Sequence, residues 1–277
     1  MKRLFAVTLI LAALMLACNI QGQETPVPAT SQPPAPTPTP QNQDTPTVTL
    51  TPTVAPNVQC NELSFFLDPA VAATYTCETV PENTMDDPWQ LPQYTSVTLE
   101  GYVLPGETYF RRIHVYRLAE FLALQPQASA RVDALKALIA GGAPGADALP
   151  VLDLFNAAQE FHAQYKVVSF AGGSGIRFVS QYAQYYAPIN NNDMFLIFQG
   201  LTSDGQYFLS AVLRISNPVL PANADNPPGG MTWEEFGNQF DAYIVDITNQ
   251  LNAQPEASFT PSITLLDALI QSIIITP

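Results

Sequence analysis

The sequence predicts an α+β fold: an antiparallel β-sheet of about six strands packed against helices, the two C-terminal helices being the best defined. Three observations carry this. Between Glu160 and Ser216, four runs rich in Val, Ile, Phe and Tyr are separated by the turn signals GGSG, PINNND and SDGQ, the mark of strands joined by short loops. Next, Trp233, Phe236, Phe240, Tyr243, Ile244, Ile247 and Leu251 recur at helical spacing. They lie behind Thr232 and Glu235, a T-x-x-E capping box. Finally, Leu265, Leu266, Leu269 and Ile273 form a second stripe, with a helix predicted from Thr260 and Pro261 in its first turn.

The remaining elements follow in order. LSFFLDPAVAATY predicts a short strand and one helical turn after Pro69. Thr79–Gln93 reads as a loop, with Trp89 docked on the core. TSVTLEGYVL alternates, placing Val97, Leu99 and Val103 on one face, and RRIHVY is a second strand with Ile113 and Val115 inward. The intervening PGET supplies a turn. Leu118–Gln125 and Ala128–Ala140 read as helices with apolar stripes at Leu118, Phe121 and Leu122 and at Val132, Leu135, Leu138 and Ile139. Ala140–Pro150 is a loop, and Val151, Leu154, Phe155 and Ala158 suggest a short helix leading into the sheet. Lys166–Phe170 and Gly175–Tyr182 flank the glycine turn. Met194–Phe198 is apolar on both faces and reads as a strand buried on both sides. Tyr207, Leu209, Ala211, Leu213 and Ile215 share one face of another strand, and IIITP fits an edge strand.

Of the 277 residues, 58–277 are ample for one core and fit one domain better than two. Charged residues are only 12% of the chain, about half the usual share, so Asn, Gln, Ser, Thr and Tyr must make up much of the surface. Lys2 and Arg3 are two of ten basic residues, and Glu24 and Asp44 two of 24 acidic ones, which leaves eight against 22 in 58–277. Such a surface repels phosphate backbones, so nucleic-acid binding is not expected, nor is electrostatic adhesion to anionic lipid.

Residues 1–57 have a different composition. Met1–Ala17 starts with Lys2 and Arg3 and continues as a 14-residue apolar run, Leu4–Ala17. That is short for a bilayer span and typical of a signal peptide. Met15, Leu16, Ala17 and Cys18 come next, and here the chain resembles bacterial lipoproteins, whose lipobox is commonly Leu, a small residue, Gly or Ala, then Cys. Ala17 and Cys18 match, while Met15 and Leu16 depart from the pattern and Leu14 stands one place early. The resemblance implies cleavage before Cys18, diacylglycerol on its thiol and an acylated amino terminus (palmitate, for instance), the two signals that stable anchoring takes. The other reading is an ordinary secretory signal with an incidental cysteine. Residue 19 is Asn, not the Asp that often retains lipoproteins in an inner membrane. Residues 18–57 form a Thr/Pro-rich linker with no Lys or Arg. It has too little apolar content to fold, and its prolines oppose helix and sheet. Fully extended, its length would approach roughly 120 Å. Its Thr–Pro pairs fit O-glycosylation on composition alone.

With Cys18 lipidated, Cys60 and Cys77 remain, and an exported chain is expected to pair them. Closing that loop stabilises by about 3 kcal/mol. Two free, buried thiols are the alternative. Two thiols and two distant histidines lack metal-ligand spacing, so neither a metal nor a cofactor is expected.

No motif carries recognisable catalysis. AGGSG, with Ser174, fails the nucleophile-elbow spacing because position 176 is Ile, and a hairpin turn is expected there. His114 and His162, the only histidines, lie in no motif that would make either a base. Asp86 with Asp87, Glu234 with Glu235, and Asp193 near Asp204 follow no calcium-ligand spacing. The strongest candidate is QYAQYYAPINNND. Tyr182, Tyr185 and Tyr186 offer flat aromatic faces, and Asn190, Asn191 and Asn192 offer amides, as a neutral polar ligand such as a sugar or peptide requires. The alternative is that the tyrosines cap the sheet core while the asparagines make a turn.

The whole layout resembles uncharacterised bacterial surface lipoproteins: lipobox, Thr/Pro stalk, one extracytoplasmic α+β domain. FQGLTSDGQYFLSAVL and SFTPSITLLDALIQSI fit that group as well. The expectation is an exported protein, anchored to the bacterial cell membrane through its N-terminal lipid. It would serve as a non-catalytic binding or interaction module for a neutral polar ligand or an envelope protein. The alternatives are an envelope-polymer hydrolase using carboxylates near Tyr182 to Asp193 in acid and base roles, or a structural envelope component.

Overall fold

The chain divides into two units, Met1–Thr49 and Leu50–Pro277. The computed structural model describes residues 54–84, 90–145, 148–152 and 155–276. The expected signal peptide, Cys18, nearly all of the linker, Asp86, Asp87, Trp89 and Leu154 lie outside the described residues.

In chain order the elements are β1 (Val58–Cys60), β2 (Leu63–Phe65), β3 (Ala72–Val80), β4 (Tyr94–Tyr102), β5 (Arg111–Arg117), α1 (Leu118–Leu124) and α2 (Ser129–Ile139). They continue with β6 (Ala158–Gln159), β7 (Ala163–Phe170), β8 (Gly173–Ser180), β9 (Tyr182–Ala183), β10 (Phe195–Thr202) and β11 (Tyr207–Arg214). The chain closes with α3 (Trp233–Asn238), α4 (Phe240–Asn252), α5 (Ile263–Gln271) and β12 (Ile274–Ile275). Among the described residues the main sheet has seven strands in the order β3-β4-β5-β11-β10-β8-β7, and every pairing in it is antiparallel. A small sheet, β1-β2-β12, and a ribbon, β6-β9, complete the α+β architecture. Among the described residues no helix is long and apolar enough to cross a membrane.

Both faces of the main sheet are covered, which is why β10 is buried at every position. On one face Val97, Leu99, Ile113, Val115, Leu196, Phe198, Leu209 and Leu213 share a core with Ile247 and Leu251 of α4, Leu266, Leu269 and Ile270 of α5, and the small sheet. On the other, Tyr116, Ile176, Phe178, Ile197, Phe208 and Val212 lie in a core with Phe121 of α1, Val132 and Leu135 of α2, and Leu149, Val151 and Leu152. Strand alternation puts successive side chains into the two cores in turn.

Several expectations change. Where a helical turn after Pro69 and a loop from Thr79 are expected, β3 is a nine-residue edge strand. Its sequence, AATYTCETV, is largely exposed and has no apolar alternation to announce it. Val103 is 48% exposed rather than inward. Gly101, at φ 62°, breaks the alternation of β4, so that Tyr102 turns into the core and its hydroxyl donates to the Arg214 carbonyl at 2.7 Å. The β7–β8 hairpin turns on Ala171 and Gly172 alone, since Phe170 pairs with Gly173. Gly175 lies inside β8 opposite Gly200, where a Cβ would come within 2.6 Å of the Phe198 ring and 2.3 Å of the Gln199 carbonyl oxygen. Those glycines leave room for Phe198, which meets Phe170 edge-on.

The helix after Thr232 keeps its capping box but breaks at Gln239 into α3 and α4. Trp233, expected inward, is 50% exposed. α5 begins at Ile263, with the Ser262 hydroxyl accepting from the Thr264 amide. Thr260 instead bridges to the backbone of Ser216 at 2.9 and 3.0 Å, which keeps it extended. No helix forms over 148–152. There the Leu149 and Leu152 amides donate to the Gln159 and Gln199 side-chain oxygens, satisfying backbone groups that a helix would otherwise satisfy.

Candidate ligand face

The segment after β8 is pinned from inside. Gln181 is 1% exposed; its oxygen accepts from the Asn190 amide at 3.0 Å and its nitrogen donates to the Pro188 carbonyl at 3.3 Å. The Tyr243 hydroxyl of α4 accepts from the Ile189 amide at 2.8 Å. The loop 182–190 is thereby tied to both sheet and helix, and its outer residues are presented on a fixed frame.

The six candidate residues separate into three groups. The asparagines are occupied by the fold. Asn190 is fully buried, accepts from the Asn192 and Asp193 amides and donates to the Asp193 carboxylate. Asn191 donates to the Leu220 carbonyl and accepts from the Asn217 amide. Asn192 accepts from Arg214 at 2.8 Å and donates to Asp193.

Tyr182 is half-buried. It stacks on Phe155 at 4.2 Å, and its hydroxyl accepts from Gln159 at 2.8 Å. With Leu149, Val151, Phe155, Gln159 and Arg131 it lines a cleft of about 460 Å³ against α2.

Tyr185 and Tyr186 differ from the rest: they are 73% and 60% exposed. They line an open hollow of about 780 Å³ with Asn156, Ala157, Ala158, Glu160, Ala183 and Gln184. The β6–β9 ribbon separates the two concavities. Gln159 pairs with Tyr182, and Ala158 with Ala183, so each cross-strand pair serves one side. Tyr186 also rests on Phe240 at 4.8 Å. From Phe240, ring contacts run through Phe236 at 5.5 Å to Trp233 at 6.1 Å. A chain of ring contacts, buried at Phe240 and Phe236, therefore ties the loop to α3 and α4.

Sequence reasoning missed Glu160, Gln184 and Asn156. Gln184 stands between the tyrosines and was legible as an amide. Glu160 and Asn156 reach the hollow only through the β6–β9 pairing. The Gln184 amide nitrogen donates to the Asn156 carbonyl at 2.6 Å. Glu160 is half-buried, and that burial raises its carboxyl above the ordinary value of 4.5.

The histidines serve the fold. His114 lies in a buried polar row across four strands, Ser96–His114–Ser210–Gln199, where its Nδ1 shares a hydrogen bond with the Tyr116 hydroxyl at 2.9 Å. Burial, with Arg112 nearby, holds its pKa well below the ordinary 6.5. A histidine kept neutral in the fold takes up its proton first in the unfolded chain. Its contribution is therefore intact above about pH 6.5 and erodes as pH falls below that, by about 1.4 kcal/mol per pH unit down to the depressed folded value. Urea titrations between pH 7 and 5 should show this slope, and His114→Asn should be flatter than wild type by that amount. Equal slopes would mean His114 takes up its proton in the folded state. His162, half-buried, is also lowered by burial.

Ser174 is a strand residue of β8. Asp204 accepts from Thr202 and from the Gln206 amide, and Glu235 belongs to the capping box. Among the described residues no group of three or more His, Cys, Asp or Glu is placed to hold a metal ion.

Comparison with protein-family models, with curated proteins and with solved structures gave no match.

Proposed function

We propose that this chain is a lipid-anchored, extracytoplasmic binding module that presents the Tyr185–Tyr186 hollow to a saccharide of the cell envelope. One observation carries the reading: two adjacent tyrosine rings stay largely exposed on a pinned loop, over a hollow bordered by Gln184, Asn156 and Glu160. Exposed rings beside amides and a carboxylate offer stacking faces and acceptors to a hydroxyl-rich ligand. The lipobox-like Met15–Cys18 and the Thr/Pro-rich linker support display of the domain away from a membrane. The hydrolase alternative asks for two carboxylates across one cleft. Among the described residues, Glu160 is the only carboxylate lining this hollow, and Asp193 is held by Asn190 and Asn192.

The test is a thermal melt of the full chain in detergent against a panel of envelope saccharides and short peptides. A ligand at a hundred times its dissociation constant adds about 2.7 kcal/mol, a rise of about 2–4 °C for a domain of this size. Tyr185→Ala/Tyr186→Ala should abolish the rise, lowering the melting point of the free protein by no more than the loss of the Tyr186–Phe240 contact. A rise that survives in the double variant would place the ligand elsewhere; a rise with peptides alone would make the partner a peptide. Cys18→Ser should move the protein from the membrane to the soluble fraction of expressing bacteria, and retention on the membrane would overturn the lipid anchor.

A further inference from the structure

We infer that the ligand of the Tyr185–Tyr186 hollow is an amino-sugar chain whose ammonium group pairs with Glu160. The inference rests on the hollow being a ligand face, and it replaces the neutral ligand expected from the sequence with a cationic one.

Glu160 follows β6 directly, and its backbone amide is committed to the Gln181 carbonyl at 3.0 Å. Its side chain makes no hydrogen bond or ion pair among the described residues, although it is half-buried. A carboxylate desolvated in this way gains from a cation that arrives with the ligand. Burial alone raises its pKa in the free protein.

Among the described residues no Lys or Arg pairs with Glu160. Residues 178–213 and 215–277, which include β9, Tyr185, Tyr186, α3 and α4, contain neither Lys nor Arg. Arg214, between them, is engaged by the Pro105 carbonyl and Asn192, and Arg131 lines the cleft on the other side of the ribbon.

The remaining polar groups favour a sugar as the bearer of the charge. With its nitrogen bonded to Asn156, Gln184 offers an oxygen as acceptor, and Glu160 offers two more. Hydroxyl and ammonium groups are the donors that match them. The exposed tyrosine faces suit both the C–H face of a pyranose and an adjacent ammonium, which is attracted to the ring. The hollow is open and about 780 Å³, which suits a stretch of chain rather than one enclosed ion.

The domain's acidity draws in any cation, so the informative readout is the loss caused by one substitution among its acidic residues. Titration calorimetry on the full chain in detergent would use three probes: a β-linked glucosamine tetramer, its N-acetylated counterpart, and hexalysine. The glucosamine tetramer should bind at least tenfold more tightly than the acetylated one. Glu160→Gln should erase that preference and keep binding of the acetylated tetramer, while Tyr185→Ala/Tyr186→Ala should lose both. A single cooperative melt of each variant will confirm that it folds. Equal, tyrosine-dependent binding of the two tetramers would remove the ammonium and leave the ligand face standing. Failure of both tetramers to bind would overturn the saccharide reading altogether. A preference that survives in Glu160→Gln would overturn the pairing, and Glu160-dependent binding of hexalysine alone would assign the hollow to a basic peptide.

Discussion

Asp267→Ala should be the most damaging single substitution of a charged residue in the domain, costing about 3–5 kcal/mol in a urea titration. Asp267 of α5 has a side chain only 5% exposed and faces Arg177 of β8, which is 1% exposed. Arg177 grips it with Nε at 2.9 Å and Nη2 at 3.2 Å, while Nη1 donates to the Gln164 carbonyl and Nη2 also reaches Glu256. Lys166 adds a contact to Asp267 at 2.8 Å, and that bond, more than any other contact, lifts the lysine's pKa above its usual value. Removing the carboxylate leaves a guanidinium in the core with only the half-exposed Glu256 as counter-ion. The cost is that of an uncompensated buried charge, not of a lost surface bridge. Two comparisons separate these. Lys166→Ala, at a side chain 45% exposed, should cost about 1 kcal/mol or less. Arg177→Met with Asp267→Leu should recover most of the loss, since apolar replacement of a buried pair is often neutral or better. A loss under about 1 kcal/mol for Asp267→Ala would mean that water reaches Arg177.

This cluster also shows where sequence reading stops. Arg177 sits in the strand GSGIRFVS and Asp267 in the helix ITLLDALIQ. Each looks like the one polar break in an apolar run, and the partner is 90 residues away. Periodicity reports which face a residue occupies and says nothing of what opposes it. The elements with strong local signals were legible: the alternation of β5 and β11, the apolar run of β10, the capping box at Thr232 and the stripe of α5. Those held by context were not. β3 is an edge strand whose side chains are mostly exposed, so pairing with β4 defines it and hydrophobic pattern does not. The break at Gln239 sits within an unbroken apolar stripe.

The candidate ligand face divides in the same way. Aromatic residues at 182, 185 and 186 were visible, but their exposure was not, because it depends on which rings find partners. Tyr182 stacks on Phe155 and Phe195 and is half-buried, while Tyr185, and Tyr186 although it rests on Phe240, stay largely open to solvent. Asparagine looks the same in sequence whether it caps a turn or faces a ligand, and here Asn190–Asn192 hold the loop that presents the tyrosines. Glu160 reaches the hollow beside a two-residue ribbon, too short to read from any pattern.

Removing the disulfide should cost about 3 kcal/mol, and the loss should be concentrated at one edge of the fold. Cys60 and Cys77 are bonded, 17 positions apart. Cys60 ends β1 and is 1% exposed, whereas Cys77 lies on exposed β3. The bond therefore joins the small sheet to an edge strand that buries little of its own surface. Other ties between them are weaker: the Tyr75 hydroxyl against the Gln59 backbone at 3.3 Å and the Asn61 amide to Thr79 at 3.0 Å. Cys60→Ala/Cys77→Ser should lower the urea midpoint, and amide exchange should quicken first across β3, where few side chains oppose opening. β10 and β11, buried between two cores, should exchange only through global unfolding, at the rate set by the variant's lower stability. The Tyr185–Tyr186 hollow lies toward the other end of the strand order, next to β9, so the proposed ligand binding should persist wherever the variant is folded. A loss below about 1 kcal/mol would show that the ladder between β3 and β4 holds the edge without the covalent tie. Equal acceleration at β3 and β10 would show that the domain opens as one unit, with no separate edge to release.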